Sequence, residues 1–177
     1  HTDSDYRIRS GIFYVLLQAV NDGHIYLPEA EVIQRTRMLL ELDLVDISNY
    51  LMDLAIEKKI VTRETDDGEK RIYPAQYYYM ELSTAKMLHD LNVHYEIADA
   101  AIEKRLSAIE KNAGLELDDM QRQAVIAAVR NGVLVLTGGP ETGKTTTINA
   151  MIHFFQSEGM DIFLAAPTGR AAKRMTE

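Results

Sequence analysis

Apolar residues recur every three or four positions through much of the first 60 residues, a spacing typical of amphipathic helices. This spacing predicts three helices, over residues 6–20, 28–40 and 46–55. Pro28 suits the first position of the second helix, and Asp46 suits the N-cap of the third. Two β-prone runs, residues 60–65 and 70–73, then flank an Asp-Asp-Gly turn, which indicates a hairpin. Three helices and a hairpin are the order of a winged helix-turn-helix, so residues 1–92 are predicted to form a mainly helical module of that type.

A cluster of three tyrosines, Tyr77, Tyr78 and Tyr79, lies on the next predicted helix, which covers residues 75–92. Two interpretations stay open. The rings can stack on nucleobases, or they can pack the helix onto the first module. Packing is favoured because aromatic side chains bury large areas.

A second domain is predicted beyond residue 92. Residues 93–114 carry an amphipathic pattern that ends at Asn-Ala-Gly, and they are predicted to form a connecting helix. Residues 115–177 begin the second domain with a helix at 117–130, which Asp118 can cap. A short apolar run at residues 133–136 then predicts a buried strand.

A phosphate-binding motif follows this strand. Its fixed positions, Gly-x-x-x-x-Gly-Lys-Ser/Thr, are filled by Gly138, Gly143, Lys144 and Thr145. Glycines let consecutive N–H groups point at phosphate oxygens, and the following helix directs its positive N-terminal end at the same charge. The motif therefore predicts a nucleoside triphosphate site, in which Lys144 reaches the β- and γ-phosphates and Thr145 binds Mg²⁺.

A second apolar run, residues 161–166, predicts a parallel strand that joins the first strand and the intervening helix in a right-handed βαβ unit. Pro167 ends this strand, Thr168 and Gly169 form a loop, and a basic helix begins at Arg170. Basic side chains and free N–H groups at the carboxyl end of a parallel strand suit a second anion. A nucleic-acid phosphate and a merely solvated helix surface both remain open here.

Composition and charge narrow the function classes. The chain has 177 residues, a net charge of −8 and no cysteine, which excludes disulfides and zinc–thiolate sites and fits a cytoplasmic protein. No apolar run approaches the roughly 20 residues that a bilayer-crossing helix needs. Residues 1–92 hold 10 basic and 16 acidic side chains, against 9 and 11 in the rest. Contact with nucleic acid is therefore expected to be local and to lie in the C-terminal part.

The third predicted helix and its end carry more acidic than basic side chains. Asp46, Asp53 and Glu57 share it with Lys58 and Lys59 at its end, and carboxylates at a DNA-reading helix would repel phosphates. A structural or protein-docking role for the first module is therefore favoured over sequence readout.

The second domain resembles the opening of the RecD-type motor, a group of superfamily 1 helicases that move 5′ to 3′ on DNA. The residues that carry the resemblance are Gln-Arg-Gln-Ala-Val from Gln121, Thr-Gly-Gly-Pro-x-Thr-Gly-Lys-Thr-Thr-Thr from Thr137, and Ala-Pro-Thr-Gly-Arg-Ala-Ala-Lys-Arg-Met-Thr-Glu from Ala166. They correspond to the adenine-reading glutamine motif, the Walker A motif and motif Ia. The region before residue 92 is more loosely similar to stand-alone RecD-like proteins.

The resemblance implies an α/β P-loop NTPase, a RecA-like motor, with ATP and Mg²⁺ as cofactors, single-stranded DNA as partner and a role in DNA repair or recombination. Lys144 and Thr145 would act in catalysis, with Thr145 as the Mg²⁺ ligand. The implied nucleotide-binding residues are Gln121, Gly138, Gly139, Pro140, Glu141, Thr142, Gly143, Lys144, Thr145 and Thr146. The implied DNA-binding residues are Pro167, Thr168, Gly169 and Arg170.

Glu141 departs from the pattern, because the family usually has glycine at this place in the loop. A side chain there allows fewer backbone angles, and a carboxylate near a triphosphate is repelled. The sequence therefore predicts weaker nucleotide binding than a Glu141→Gly variant would show.

The leading hypothesis is an N-terminal piece of an ATP-dependent 5′→3′ DNA helicase. The chain starts at His1, and a parallel α/β domain needs more strands than residues 115–177 supply. A piece that lacks the Walker B Asp-Glu pair is expected to be inactive alone. The alternative is a winged-helix transcriptional regulator fused to a nucleotide-sensing P-loop domain, which predicts a basic third helix that this sequence lacks. The two segments at Lys144 and after Ala166 are expected to flank adjacent strands of one sheet.

Overall fold

The computed structural model describes residues 3–43 and 45–176, apart from the side chains of Asp3 and Thr176. The chain divides into two compact units, His1–Met87 and Leu88–Glu177. Residues 1, 2, 44 and 177 fall within the predicted domains but lie outside the described residues.

Unit 1 contains the three predicted helices and the predicted hairpin, together with a short strand between the first two helices that was not predicted and that includes Pro28. Its elements are α1 (Asp3–Asn21), β1 (Leu27–Pro28), α2 (Glu29–Leu40), α3 (Ile47–Ile56), β2 (Ile60–Glu64) and β3 (Lys70–Pro74), and α4 (Ala75–Leu91) follows. The strands pair antiparallel in the order β1-β3-β2. The predicted helices and hairpin are confirmed as elements, because the apolar residues that set their periodicity are the ones that the core buries.

The core of unit 1 lies between the three helices and one face of the sheet. Helix α1 contributes one buried apolar stripe along its length, and the sheet contributes Leu27, Ile60 and Ile72. Asp46 caps α3 as predicted, since its side chain accepts a hydrogen bond of 3.0 Å from the N–H of Ser48.

The hairpin tip is fixed by side-chain bonds within the turn. The hydroxyl of Thr65 donates to the carboxylate of Asp67, and Gly68 takes a left-handed φ of 85°. The Thr65 bond lowers the pKa of Asp67 below its ordinary value, with a smaller effect from the backbone N–H of Glu69. Asp67 is therefore held ionised as part of the turn.

Unit 2 is built from α5 (Asp99–Ala113), α6 (Asp119–Arg130), α7 (Lys144–Ser157) and α8 (Gly169–Thr176). The first three of these helices share one core, whose buried members are Ile102, Leu106, Leu117, Val125, Val129, Ala150 and Phe154. Residues 93–114 were predicted to form a connecting helix, and α5, which they contain, packs against α6 and α7 within unit 2. The structure divides the chain after residue 87, whereas the prediction placed domain boundaries at residues 92 and 114.

Ion pairs join α5 to α6. The guanidinium of Arg122 on α6 forms ion pairs with both Glu103 and Glu110 on α5. The side chain of Arg122 is only 19% exposed. Arg130 binds Asp99 and the carbonyl oxygen of Ile97, the latter at 2.9 Å.

The predicted βαβ unit is wrong for the described residues, because residues 133–136 and 161–166 form no strand there. Parallel strands are buried on both faces and need neighbours, and a single parallel pair is marginal by itself. The side chains show the consequence, since Val135 is 78% exposed and Phe163 is 93% exposed. A largely apolar cavity of about 850 Å³ lies beside these segments, with Leu134 and Met160 on its wall.

In the part of the chain that the structure describes, no helix has the length and apolar content required to cross a membrane.

Candidate nucleotide site

The phosphate-binding loop ends at a glycine that no other residue can replace without strain. Gly143 is the N-cap of α7 and takes φ 81° and ψ 17°, in the left-handed region. A Cβ at Gly143 would lie 2.3 Å from Nε2 of Gln121. The backbone angle therefore requires glycine at the second fixed position of the motif, and a side chain there would also displace the Gln121 amide.

The N-terminus of α7 is open to an anion. No side chain caps this helix, and the N–H groups of a first helical turn have no partner four residues earlier. Helix α6 is built differently, because Asp118 and Gln121 close its N-terminus with a capping box. The residues at the start of α7 thus fit a phosphate group, whose charge the helix end stabilises.

Lys144 lies over the loop that precedes it. Its ammonium group donates to the carbonyl oxygen of Gly138, and its side chain is partly buried. The hydroxyl of Thr142 donates to the carbonyl oxygen of Gly139 at 2.8 Å, and a Cβ at Gly138 would meet that hydroxyl at 2.6 Å. The loop therefore curls tightly around a lysine whose charge faces inward.

The threonines after Lys144 have different surroundings. Thr145, the predicted Mg²⁺ ligand, is exposed, and Thr146 is partly buried. Thr147 is only 2% exposed, and its hydroxyl donates to the carbonyl oxygen of Gly143 at 2.9 Å. Sequence reasoning missed Thr147. Its position four residues after Gly143, on the inner side of α7, was the available signal.

Gln121 links the capping box to the loop. Its Oε1 accepts from the N–H of Asp118 at 2.9 Å, and its Nε2 donates to the carbonyl oxygen of Gly143 at 3.2 Å. The structure thus brings Gln121 to the phosphate loop, and both ends of its amide are engaged. The sequence did not predict the bond from Gln121 to Gly143. The spacing of Gln121 before the phosphate loop indicated only a contact with adenine.

Glu141 occupies a strained position in the loop. Its φ is 59°, in the left-handed region that glycine adopts freely and other residues adopt at a cost. The side chain is exposed, as are Gly139 and Pro140 before it. The backbone angle explains physically why a glycine suits this place.

The second predicted site forms a separate helix start. Helix α8 begins at Gly169. The hydroxyl oxygen of Thr168 accepts a hydrogen bond of 3.3 Å from the N–H of Ala171 in the first turn of this helix. All four predicted residues from Pro167 to Arg170 are exposed. Because the described residues contain no parallel sheet, the expected shared sheet edge with the Lys144 loop is absent, and that expectation is wrong for this structure.

Comparisons with known proteins agree with the motifs. The family described as AAA domain matches residues 121–177. The ATP-dependent RecD2 DNA helicase of Deinococcus radiodurans is 29% identical over 99% of this chain and 26% of its own length. The RecBCD enzyme subunit RecD of Mycobacterium tuberculosis is 46% identical over 33% of this chain and 12% of its own. The corresponding subunit of Haemophilus influenzae is 42% identical over 35% of this chain and 10% of its own. These similarities confirm the resemblance to RecD-like helicases, and the chain spans between 10% and 26% of the length of these three relatives.

Proposed function

We propose that this chain is part of an ATP-dependent DNA helicase and that its Lys144 loop holds the triphosphate of ATP. The observation that carries the proposal is the open N-terminus of α7, with left-handed Gly143 before it and the Lys144 ammonium inside the loop. Relatives named as ATP-dependent helicase or as RecD support the same function. The named relatives do not favour the alternative of a nucleotide-sensing transcriptional regulator.

Each residue of the loop has a distinct role in this proposal. The N–H groups at the start of α7 bind phosphate oxygens, and Lys144 exchanges its bond to the Gly138 carbonyl for the β- and γ-phosphates. Thr145, which is exposed, holds Mg²⁺, and the ion would neutralise charge on the transferred phosphoryl group. Gln121 contacts adenine by exchanging its amide bonds to Asp118 and Gly143 for bonds to the base. The predicted nucleotide-binding residues 138–143 set the backbone shape of the loop.

Single-stranded DNA is the proposed track, with movement from 5′ to 3′. Its contact here is the turn of Pro167, Thr168 and Gly169 together with Arg170. These residues are exposed at the start of a helix that carries further basic residues in its last turn. Arg170 and the positive N-terminal end of α8, where Thr168 accepts the N–H of Ala171, favour a phosphate.

Unit 1 is proposed to be a winged helix-turn-helix that docks a protein. The order of its elements supports the fold, and the acidic side chains of α3 argue against its insertion into a DNA groove.

Arg170 provides the test of the DNA contact. Replacing Arg170 with glutamine is expected to weaken binding of a fluorescent single-stranded oligonucleotide several-fold, because one phosphate contact is lost. Lys104→Gln removes the same charge from an exposed position on α5 and serves as the control. Equal affinities of the two variants in anisotropy titrations would remove the support for this DNA-binding turn.

Turnover gives a second expectation. The isolated chain is expected to release phosphate from ATP no faster than the background, since positioning and charge neutralisation of the γ-phosphoryl need groups beyond the loop. A phosphate-release assay showing steady hydrolysis that depends on Lys144 would contradict this.

Glu141 affects both stability and affinity in ways that two variants separate. Glu141→Gly relieves the left-handed backbone angle and is expected to stabilise unit 2 by about 1 kcal/mol. Glu141→Gln keeps the strained angle and removes only the charge. Because the angle is already present without nucleotide, both variants are expected to bind Mg-ATP about fivefold more tightly through reduced repulsion. Calorimetric titration checks the affinity, and the idea is wrong if wild-type protein binds as tightly as either variant.

A further inference from the structure

The outward face of the unit 1 sheet carries tyrosines and arginines. Side chains alternate between the two faces of a strand, and Ile60 and Ile72 point into the core. The cross-strand pairs Val61–Tyr73 and Arg63–Arg71 therefore share the opposite face. We call the outer set the tyrosine–arginine face, which consists of Tyr26, Arg63, Arg71, Tyr73, Tyr78 and Tyr79.

The aromatic rings of this face form a continuous series. Ring centroids are 5.2 Å apart for Tyr26 and Tyr73, 5.1 Å for Tyr73 and Tyr78, and 5.2 Å for Tyr78 and Tyr79. Tyr73 is only 7% exposed, whereas Tyr79 at the end of the series is 56% exposed. The contact between Tyr78 on α4 and Tyr73 on β3 accounts for the inner rings, and the ring of Tyr79 remains available to another flat group.

Each arginine of the face stacks on one of these rings. The guanidinium carbon of Arg71 lies 4.6 Å from the centroid of Tyr26, and that of Arg63 lies 5.2 Å from the centroid of Tyr78. The Nε of Arg63 also donates to the hydroxyl of Tyr78 at 2.8 Å. Stacking fixes both guanidiniums in place, and fixed guanidiniums bind phosphate without a large loss of rotamer freedom.

The charge of the face is positive although unit 1 as a whole is acidic. Arg63 and Arg71 are direct cross-strand partners, an arrangement that costs energy unless an anion lies near. Glu69 pairs with Arg71 at 2.8 Å. Among the described residues, no carboxylate pairs with Arg63. Glu64 is the next residue of β2 and points to the other face, and Asp67 is bound by Thr65.

We propose that the tyrosine–arginine face binds single-stranded nucleic acid, with a nucleobase on the ring of Tyr79 and a phosphate on Arg63. Arg63 stacks on Tyr78, whose ring contacts that of Tyr79, so an exposed ring and a cation lie one ring apart, and this combination can bind a stacked base and its phosphate. Duplex is disfavoured, because its bases are already stacked on one another and cannot reach the ring. The face lies in unit 1, so this site is distinct from the turn at residues 167–170 in unit 2 and does not depend on it.

Photocrosslinking locates the contact directly. The 177-residue chain is irradiated with an oligothymidylate that carries 5-iodouracil, and the crosslinked peptides are identified by mass spectrometry. We expect crosslinks in the peptide that contains Tyr78 and Tyr79. Crosslinks confined to the peptides after Ala166 would overturn this proposal and leave the proposed helicase function standing.

Affinity measurements test the two chemical roles. Tyr79→Ala is expected to weaken oligothymidylate binding about tenfold, and Tyr79→Phe to leave it unchanged, because stacking needs only the ring. Arg63→Gln is expected to weaken binding and to reduce the salt slope by about one unit. Matched controls are Tyr14→Ala, which removes a ring that is 52% exposed on α1, and Arg35→Gln, which removes an exposed charge on α2.

Two results would contradict the base-stacking site. The first is equal binding by Tyr79→Ala and Tyr14→Ala in the same titration. The second is displacement of the oligonucleotide by polyglutamate of equal charge, which would show an anionic peptide surface instead. An abasic oligomer, which keeps the phosphates and lacks the bases, separates the phosphate contribution from the stacking contribution. It is expected to bind more weakly than oligothymidylate, and its affinity is expected to be the same for wild-type protein and Tyr79→Ala.

Discussion

Replacing Lys144 with alanine is expected to weaken Mg-ATP binding by about a hundredfold, because charged hydrogen bonds contribute up to about 3 kcal/mol. The ammonium group of Lys144 lies over the loop, where it donates a hydrogen bond to the carbonyl oxygen of Gly138. Without Lys144, the phosphates lose the ammonium group and are held by the N-terminus of α7 and by Mg²⁺. Titration with a fluorescent ATP analogue measures the change.

The control for Lys144 is Lys111→Ala, which removes an exposed lysine from α5 in the same unit. Adenosine provides a second control, since it has no phosphate and its affinity should not depend on Lys144. A Lys144→Ala variant that binds Mg-ATP like the Lys111→Ala variant would contradict the assignment of the phosphate position.

Replacing Gly132 with alanine is expected to destabilise unit 2 by about 3 kcal/mol or more, because backbone atoms close to the new Cβ cannot move aside easily. A Cβ at Gly132 would lie 1.7 Å from the carbonyl oxygen of Leu91. The backbone N–H of Gly132 donates to Val93 at 2.9 Å, and that of Tyr95 donates to Arg130 at 2.7 Å. The substitution forces these two segments apart.

Urea unfolding of Gly132→Ala measures this effect. Gly169→Ala is the matched control, because no atom lies within 4 Å of a Cβ at that position and its backbone angle is ordinary. An unchanged unfolding midpoint for Gly132→Ala would show that the close pairing between these segments does not contribute to stability.

Local signals in the sequence predicted the elements of unit 1 and the helix caps of both units. Helical periodicity marks a face that one core buries, and Asp46 and Asp118 cap the helices that follow them. These features depend on neighbours within a few residues, so a single sequence is enough to predict them. The glycine that the family usually has in place of Glu141 indicated a restricted backbone there, and the structure adds that its φ is 59°.

Features that depend on distant partners were not predicted. Residues 133–136 and 161–166 have strand-like composition, but a strand also needs a hydrogen-bonded neighbour, and the described residues supply none. The bond from Gln121 to Gly143 joins residues 22 positions apart, and the close approach at Gly132 involves the end of α4. The ring series on the sheet likewise combines Tyr26 with residues of β3 and α4.

The most direct test of the triphosphate site is a backbone amide NMR titration of the labelled chain with Mg-ATP. The account predicts that the amide signals of Gly143, Lys144, Thr145 and Thr146 shift most, and that Lys144→Ala abolishes these shifts at the same nucleotide concentration. The central claim that this loop holds the phosphates would be contradicted if the signals of these four amides stayed unchanged. It would also be contradicted if their shifts persisted fully in the Lys144→Ala variant.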